Sequence, residues 1–151
     1  MKEYPTQEYL NSILEYRNGG LYWKKCGKRI IQGSRAGSLH NKSGYRIFSI
    51  NNSHYLEHRI IWIMFNNNIP DGLLIDHINM IKDDNRIENL RLVDKSLNAM
   101  NCNSKNIRIL NRPKPYLGFI RYKGKAISKA FYTEQEASEW VAQKKSEIFQ
   151  E

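Results

Sequence analysis

The chain has 151 residues, of which 40% are hydrophobic and 11% aromatic, enough for one ordinary domain or a small core with an added module. Two distant cysteines, Cys26 and Cys102, support neither a zinc finger nor a disulfide framework. No stretch is apolar enough for a signal peptide or a membrane span. We therefore expect a reduced, cytoplasmic protein with no membrane partner and no small-molecule cofactor.

Positive charge is concentrated at the two ends of the sequence. Lys and Arg number 24 against 15 Asp and Glu, which gives a net charge of +9. Residues 1–57 and 102–151 each carry +5, whereas residues 58–101 carry −1. Basic flanks around a slightly acidic middle suit a protein that binds a nucleic-acid backbone and keeps a cation at its centre. A basic surface that is simply solvated is the alternative.

The first third of the chain is predicted to be a short helix followed by strands. Thr6 can cap a helix over residues 7–16, which the turn signal at residues 18–20 ends. A strand-like region begins at Leu21. Within it, residues 45–50 alternate as a strand and stop at the hairpin signal of residues 51–53.

The middle third is predicted to be helix, strand, loop, strand and helix. Residues 58–65 are nearly all apolar and predict a buried helix. Residues 73–75 predict a buried strand that leads into Asp76 and His77, and residues 90–93 predict the return strand. Asp94 can cap a following helix that carries Asn98.

The last third is predicted to be a small module. Residues 116–122 and 125–132 form a hairpin around Lys123-Gly124, and residues 133–136 are a capping box that opens a helix. The predicted fold class is α+β with antiparallel strands. We assign residues 1–102 to a first domain, 103–115 to a basic linker, and 116–151 to the hairpin-helix module.

Candidate chemistry centres on Asp76 and His77, with Asn89 twelve positions after the histidine and Asn98 nine further on. His77 is the natural general base for activating water, because its ordinary pKa lies near neutrality. Oxygen atoms of Asp76 and Asn98 suit Mg²⁺ or Mn²⁺. We expect Asn89 to bond backbone across the loop and hold His77 in place. Neighbours in a regular strand point to opposite faces, so Asp76 and His77 share a site only if the strand ends or bends there.

These residues resemble the HNH endonucleases, and more narrowly the phage and intron homing enzymes of that family. The resemblance covers roughly residues 45–101, through His58-Arg59, residues 69–72 and 75–79, residues 84–91, and Asn98 with Asn101. It implies a ββα-metal core and metal-dependent DNA cleavage, with His77 as base, Asp76 and Asn98 as metal ligands, and Asn89 as the central asparagine. Met80 stands where many relatives have glycine.

The C-terminal hairpin and helix are similar to the DNA-binding domain of plant ethylene-response factors and phage integrases. Gly118, the turn at residues 123–125 and residues 131–137 carry this second, weaker resemblance. It implies that the module contacts double-stranded DNA.

Residues expected to contact DNA are basic and lie in both flanks and around the motif. They are Lys24, Lys25, Arg35, Arg46, Arg59, Arg86, Arg91, Lys105, Arg108, Arg112, Arg121, Lys123 and Lys125. Internal ion pairing is the alternative for Arg59, Arg86 and Arg91. The sequence therefore predicts a DNA endonuclease or nickase, monomeric or dimeric, in a bacterial or phage-infected cell. A sequence-specific DNA-binding protein without catalysis and an RNA-binding protein are the competing hypotheses.

Overall fold

The chain divides into two compact units, Met1–Leu92 and Val93–Glu151. A computed structural model describes residues 3–25, 27, 30–101 and 106–150. These residues confirm the predicted α+β fold class, with helices and antiparallel strand pairs. In this part of the chain no helix has the length and apolar character needed to span a membrane. The three-part division predicted at residues 102 and 115 stays a prediction.

The elements follow in chain order. In the first unit they are α1 (Gln7–Ile13), β1 (Leu14–Arg17), β2 (Gly20–Trp23), β3 (Ser38–Leu39), β4 (Arg46–Ile50), β5 (Ser53–Leu56), α2 (Glu57–Asn66), β6 (Leu74–His77) and a 3₁₀ turn (Ile87–Asn89). β7 (Leu90–Val93) comes next. The second unit contains α3 (Lys95–Asn101), β8 (Ile107–Ile109), β9 (Tyr116–Tyr122), β10 (Lys125–Phe131) and α4 (Glu134–Gln150).

The first helix is shorter than predicted. Thr6 caps it as expected, because its hydroxyl accepts from the Tyr9 amide at 3.3 Å, but the helix ends at Ile13 rather than at residue 16. The next residues form β1, which pairs with β2 in an antiparallel hairpin. Asn18 and Gly19 make the turn with φ of 44° and 82°. An Asn-Gly turn matches the twist of a hairpin, and strand pairing therefore ends the helix early.

The core of the first unit forms where α2 packs with the β3–β4–β5 sheet and α1. The predicted hairpin turn between β4 and β5 is confirmed, with Asn51 and Asn52 at φ of 49° and 62°. The predicted buried helix is α2, which ends at Asn66 as the asparagine run begins. Fully buried apolar side chains fill the space between these elements: Leu10, Leu14, Leu21, Ile60 and Ile61.

The second unit is a three-stranded sheet with helices packed on it. β9 lies between β10 and β8, and Tyr122 pairs with Lys125 across the predicted turn. β8 lies within the stretch predicted as a linker, so residues 107–109 belong to the sheet. The capping box is confirmed: Thr133 accepts from the Glu136 amide at 3.2 Å, and the Glu136 carboxylate accepts from the Thr133 amide at 3.1 Å.

Candidate active site

His77 is the last residue of β6 and is only 4% exposed. Its Nε2 lies 2.8 Å from Oδ1 of Asn85, in the loop between β6 and β7. The chain turns immediately after the histidine, where the Met80 amide donates to the His77 carbonyl at 3.0 Å. The strand thus ends at the imidazole, as the sequence argument required for a site at this point.

Asn85 connects the histidine to a buried carboxylate. The asparagine is 1% exposed, and its Nδ2 donates to Oε2 of Glu57 at 2.8 Å. Glu57, the first residue of α2, is fully buried and also accepts from the Leu21 amide at 3.1 Å. His77, Asn85 and Glu57 form a continuous hydrogen-bonded chain inside the first unit, which we call the buried relay.

Two arginines neutralise the charge at the inner end of the buried relay. Arg35 lies 3.2 Å and Arg46 lies 3.5 Å from Oε2 of Glu57. Burial raises the pKa of the Glu57 carboxyl. Hydrogen bonds from Leu21 and Asn85, and the positive charges of the two arginines, act in the opposite direction. A buried carboxylate normally needs such partners, because an unpaired charge in the core is very costly.

Aromatic rings surround the imidazole. The His58 ring meets the His77 ring edge to face at 5.0 Å between centroids, and Tyr45 lies 5.2 Å and 6.0 Å from these two rings. Nδ1 of His58 is buried without a hydrogen-bond partner. Burial lowers the pKa of His58 to about 3, with smaller contributions from His77 and Arg59. His58 is therefore neutral near pH 7.

Asn89 braces the loop that follows His77. Its Nδ2 donates to the Asp84 carbonyl at 2.7 Å and to Oδ1 of Asn79 at 2.9 Å, while its Oδ1 accepts from the Asn79 amide at 3.1 Å. These are bonds across the loop of the kind expected from the sequence. A catalytic contribution of Asn89 stays a prediction.

Asp76 has different partners from its neighbour His77. Its Oδ2 accepts from Nε and an Nη atom of Arg91, in β7, at 3.0 Å and 2.9 Å. The carboxylate and the imidazole thus engage different residues, although β6 ends at His77. Any metal bound by Asp76 would share this carboxylate with Arg91.

Asn98 lies on α3 in the second unit, in a helix that Asp94 caps as predicted by accepting from the Leu97 amide at 2.8 Å. Within the described ranges, no group of three His, Cys, Asp or Glu residues is arranged to bind a metal. The predicted donor set is one carboxylate and one amide oxygen. Oxygen donors of this kind fit Mg²⁺ or Mn²⁺, which usually retain several water ligands.

All five predicted DNA-contacting arginines of the first unit have partners within the protein. Besides Arg35, Arg46 and Arg91, Arg86 pairs with Asp84 at 2.7 Å, and Arg59 donates to the Tyr4 hydroxyl at 2.6 Å. Lys24 donates to the Asn11 carbonyl, and Lys25 is exposed.

The predicted cations of the second unit lie on or beside its sheet. Arg108 lies over Phe119 and Lys123 over Tyr122, while Arg112 donates to the Lys114 carbonyl. Arg121 and Lys125 are exposed, and Lys105 lies outside the described residues. DNA contact by any of the predicted cations stays a prediction.

Residues 55–100 match the family model of the HNH endonucleases. This match, about a third of the chain, supports the HNH family for that stretch, which we call the HNH segment, and with it a nuclease acting on nucleic acid. HNH nucleases typically use a divalent metal. No curated protein and no solved structure matches the chain.

Met80, which stands where the resemblance described above implies glycine in many relatives, has an unusual backbone conformation. Met80 has a φ of 63°, in the left-handed region that favours glycine. Its side chain is half exposed, so it meets no packing obstacle. The turn after His77 therefore forms with methionine, at the expense of some backbone strain.

Sequence reasoning did not single out Glu57, and it treated Asn85 only as part of a motif. Glu57-His58-Arg59 is a charged and polar triplet at the start of an otherwise apolar helix, which was the available signal. Arg35 and Arg46 were assigned to DNA, but both contact Glu57. These partners are far apart in sequence, and their meeting depends on how the sheets and α2 pack.

Proposed function

We propose that the protein is a metal-dependent DNA endonuclease of the homing type, with His77 as its general base and one Mg²⁺ or Mn²⁺ bound by Asp76 and Asn98. What supports the proposal most is the buried imidazole of His77, hydrogen-bonded to Asn85 inside the HNH segment. A histidine is suited to this role because it exchanges protons near neutral pH.

In the reaction, His77 removes a proton from water and the resulting hydroxide attacks the phosphorus atom. The bond between phosphorus and the 3′ oxygen breaks on the opposite side, and the leaving oxygen takes a proton from solvent. The metal, when bound, would neutralise charge on the phosphate and on the leaving oxygen. Asn89 keeps the loop after His77 closed through its bonds to Asn79 and Asp84. General base catalysis of this kind contributes roughly 10²–10⁴-fold.

The substrate we propose is double-stranded DNA. The net charge of +9 favours a polyanion. The three-stranded sheet of the second unit carries Arg108 and Lys123 over aromatic rings, and we assign DNA binding to this module. One chain carries one candidate site, so a monomer would nick and a dimer would cut both strands. The proposed setting is the cytoplasm of a bacterial or phage-infected cell.

The decisive experiment is cleavage of supercoiled plasmid with Mg²⁺ or Mn²⁺, with and without EDTA. We expect His77→Ala to lower the cleavage rate by roughly 10²–10⁴-fold while DNA binding is retained. His40→Ala is the matched control, because the His40 side chain is exposed and its ring bonds only to Ser43 among the contacts described. Equal cleavage by wild type and His77→Ala would refute the proposed base.

A DNA-binding protein without catalysis is the second candidate, and one observation favours it. The guanidinium of Arg91 lies on the carboxylate of Asp76, the predicted metal ligand. Salt-dependent DNA binding without cleavage in any divalent metal would establish this alternative. Competition between duplex DNA and duplex RNA would test the choice of nucleic acid for both candidates.

A further inference from the structure

We infer that Glu57, acting through Asn85, is a positioning residue that keeps the proton of the neutral His77 ring on Nε2. If His77 is the base proposed above, Nδ1 is the nitrogen that would act on water. The catalytic part of this inference rests on the proposed role of His77. The hydrogen-bond part does not, and it can be measured on the protein alone.

The charge state of Glu57 follows from the groups around it. Its carboxylate faces the amide of Leu21 and the guanidinium groups of Arg35 and Arg46. None of these groups has a lone pair to offer, so each of them can only donate. A fully buried glutamate surrounded by such donors is ionised, and an ionised carboxylate can only accept.

The direction of the remaining bonds follows from this. Because Glu57 only accepts, the group of Asn85 that faces it at 2.8 Å must be the amide NH₂. The amide oxygen of Asn85 therefore points to Nε2 of His77, also at 2.8 Å. That oxygen can only accept, so Nε2 must carry the hydrogen. In the neutral ring the lone pair is then on Nδ1.

Burial holds the Asn85 side-chain amide in this orientation. Glu57, Asn85 and His77 are 0%, 1% and 4% exposed, so bulk water cannot readily replace a lost partner. Turning the Asn85 amide over would place its oxygen against the carboxylate and its NH₂ against Nε2–H. Two buried hydrogen bonds would be lost, and each polar group left without a partner away from water would destabilise this orientation.

Part of this arrangement lies outside the HNH segment. Leu21, Arg35 and Arg46 precede residue 55, and all three contact Glu57. The N-terminal strands of this chain thus help to set the protonation of the histidine within the HNH segment.

The first test is ¹⁵N NMR of the histidine rings in the wild-type protein, at a pH where His77 is neutral. The His77→Ala spectrum identifies the resonances of this ring. We expect a pyrrole-type Nε2 that carries hydrogen and a pyridine-type Nδ1. The opposite pattern would overturn the inference, whereas the expected pattern in a protein that cuts no DNA would refute only the nuclease.

Glu57→Gln tests the causal step. With its oxygen towards Leu21, the glutamine turns its NH₂ to Asn85, whose amide then flips and donates to Nε2 of His77. We expect the ring proton to move to Nδ1 and plasmid cleavage to fall by roughly 10²–10⁴-fold. Asp83→Asn is the control, because Asp83 binds Arg46 at 3.0 Å outside the buried relay. It should leave the tautomer unchanged.

A folded Glu57→Gln protein that keeps hydrogen on Nε2 would show that Glu57 does not control the ring. Lower cleavage with an unchanged tautomer would reduce Glu57 to a structural role. If the variant does not fold, the wild-type spectrum alone decides the inference.

Discussion

The two units bury different kinds of side chain. The first buries a set of polar groups, Glu57, His58, His77, Asn85 and Asn89, within its apolar core. The second, in its described residues, buries mainly apolar groups such as Met100, Ile120 and Val141, with Asn106 as a polar exception. Buried polar groups demand complete and well-directed hydrogen bonds, whereas apolar packing only requires shape. The hydrogen bonds of the first unit therefore fix the positions of its buried polar side chains.

The carboxylate partners of the basic residues also differ between the units, although cations lie over aromatic rings in both. In the first unit Arg35, Arg86 and Arg91 lie against carboxylates, so their charges are largely compensated. In the second unit Arg108 and Lys129 lie over aromatic rings, which attract a cation without cancelling its charge. We therefore expect the first unit to carry out chemistry and the second to supply most of the attraction to phosphate.

The largest expected effect is on the stability of the first unit. Glu57→Ala would leave Arg35 and Arg46 facing a cavity and Asn85 without its acceptor. We expect the free energy of unfolding to fall by about 3–5 kcal/mol, as for other broken buried ion pairs. Urea unfolding followed by circular dichroism measures this. Glu88→Ala, at an exposed position of the 3₁₀ turn, should change it by less than about 0.5 kcal/mol.

Acid should weaken the first unit through His58. Its pKa is lowered to about 3 by burial, whereas the unfolded chain takes up this proton near pH 6.5. The stabilisation is thus fully present above about pH 6.5 and is lost as the pH falls towards 3. We expect the free energy of unfolding to drop by about 2 kcal/mol between about pH 7 and pH 5.

His58→Phe provides the comparison for this pH effect, because it keeps a ring facing Tyr45 and His77 but does not titrate. Other groups, including Glu57, titrate in both proteins. Stability curves of equal slope for the two proteins between about pH 7 and pH 5 would contradict the role assigned to His58.

The second unit should depend on its helix cap. Thr133→Ala removes the hydroxyl that accepts from the Glu136 amide, and we expect a loss of about 1 kcal/mol in unfolding free energy. Ser138→Ala, inside α4, should be neutral or slightly stabilising, because alanine is the better helix former. Thermal unfolding of both variants would show whether losing the cap changes the stability of the second unit more than a change of helix propensity inside α4 does.

The smallest effect concerns DNA affinity and separates the two sets of cations directly. We expect Arg108→Gln to lower the slope of log affinity against log salt by about 0.9, the value for one lost phosphate contact. Arg86→Gln should change the slope less, because Asp84 already pairs with Arg86 at 2.7 Å. Fluorescence anisotropy over a range of salt concentrations measures both slopes. A larger change of slope for Arg86→Gln than for Arg108→Gln would contradict the comparison.

Where sequence prediction succeeded, short-range interactions decide the structure. The caps at Thr6, Asp94 and Thr133 involve residues within four positions of one another, and each is present. The hairpin turns at residues 51–52 and 123–124 contain Asn51, Asn52 and Gly124, which are residue types that tolerate positive φ. The helix predicted over residues 7–16 failed at its end, where pairing with β2 outweighed local helical spacing.

The sequence by itself determined the main helices and hairpins and the spacing of Asp76, His77, Asn89 and Asn98. Only the tertiary structure brought Glu57 to Asn85, 28 positions away, and surrounded it with Leu21, Arg35 and Arg46. Helix and hairpin signals depend on residues close together in the chain, so they can be recognised in the sequence alone. The partners of a buried charge are selected by the packing of distant segments, because each must find a donor or acceptor away from water.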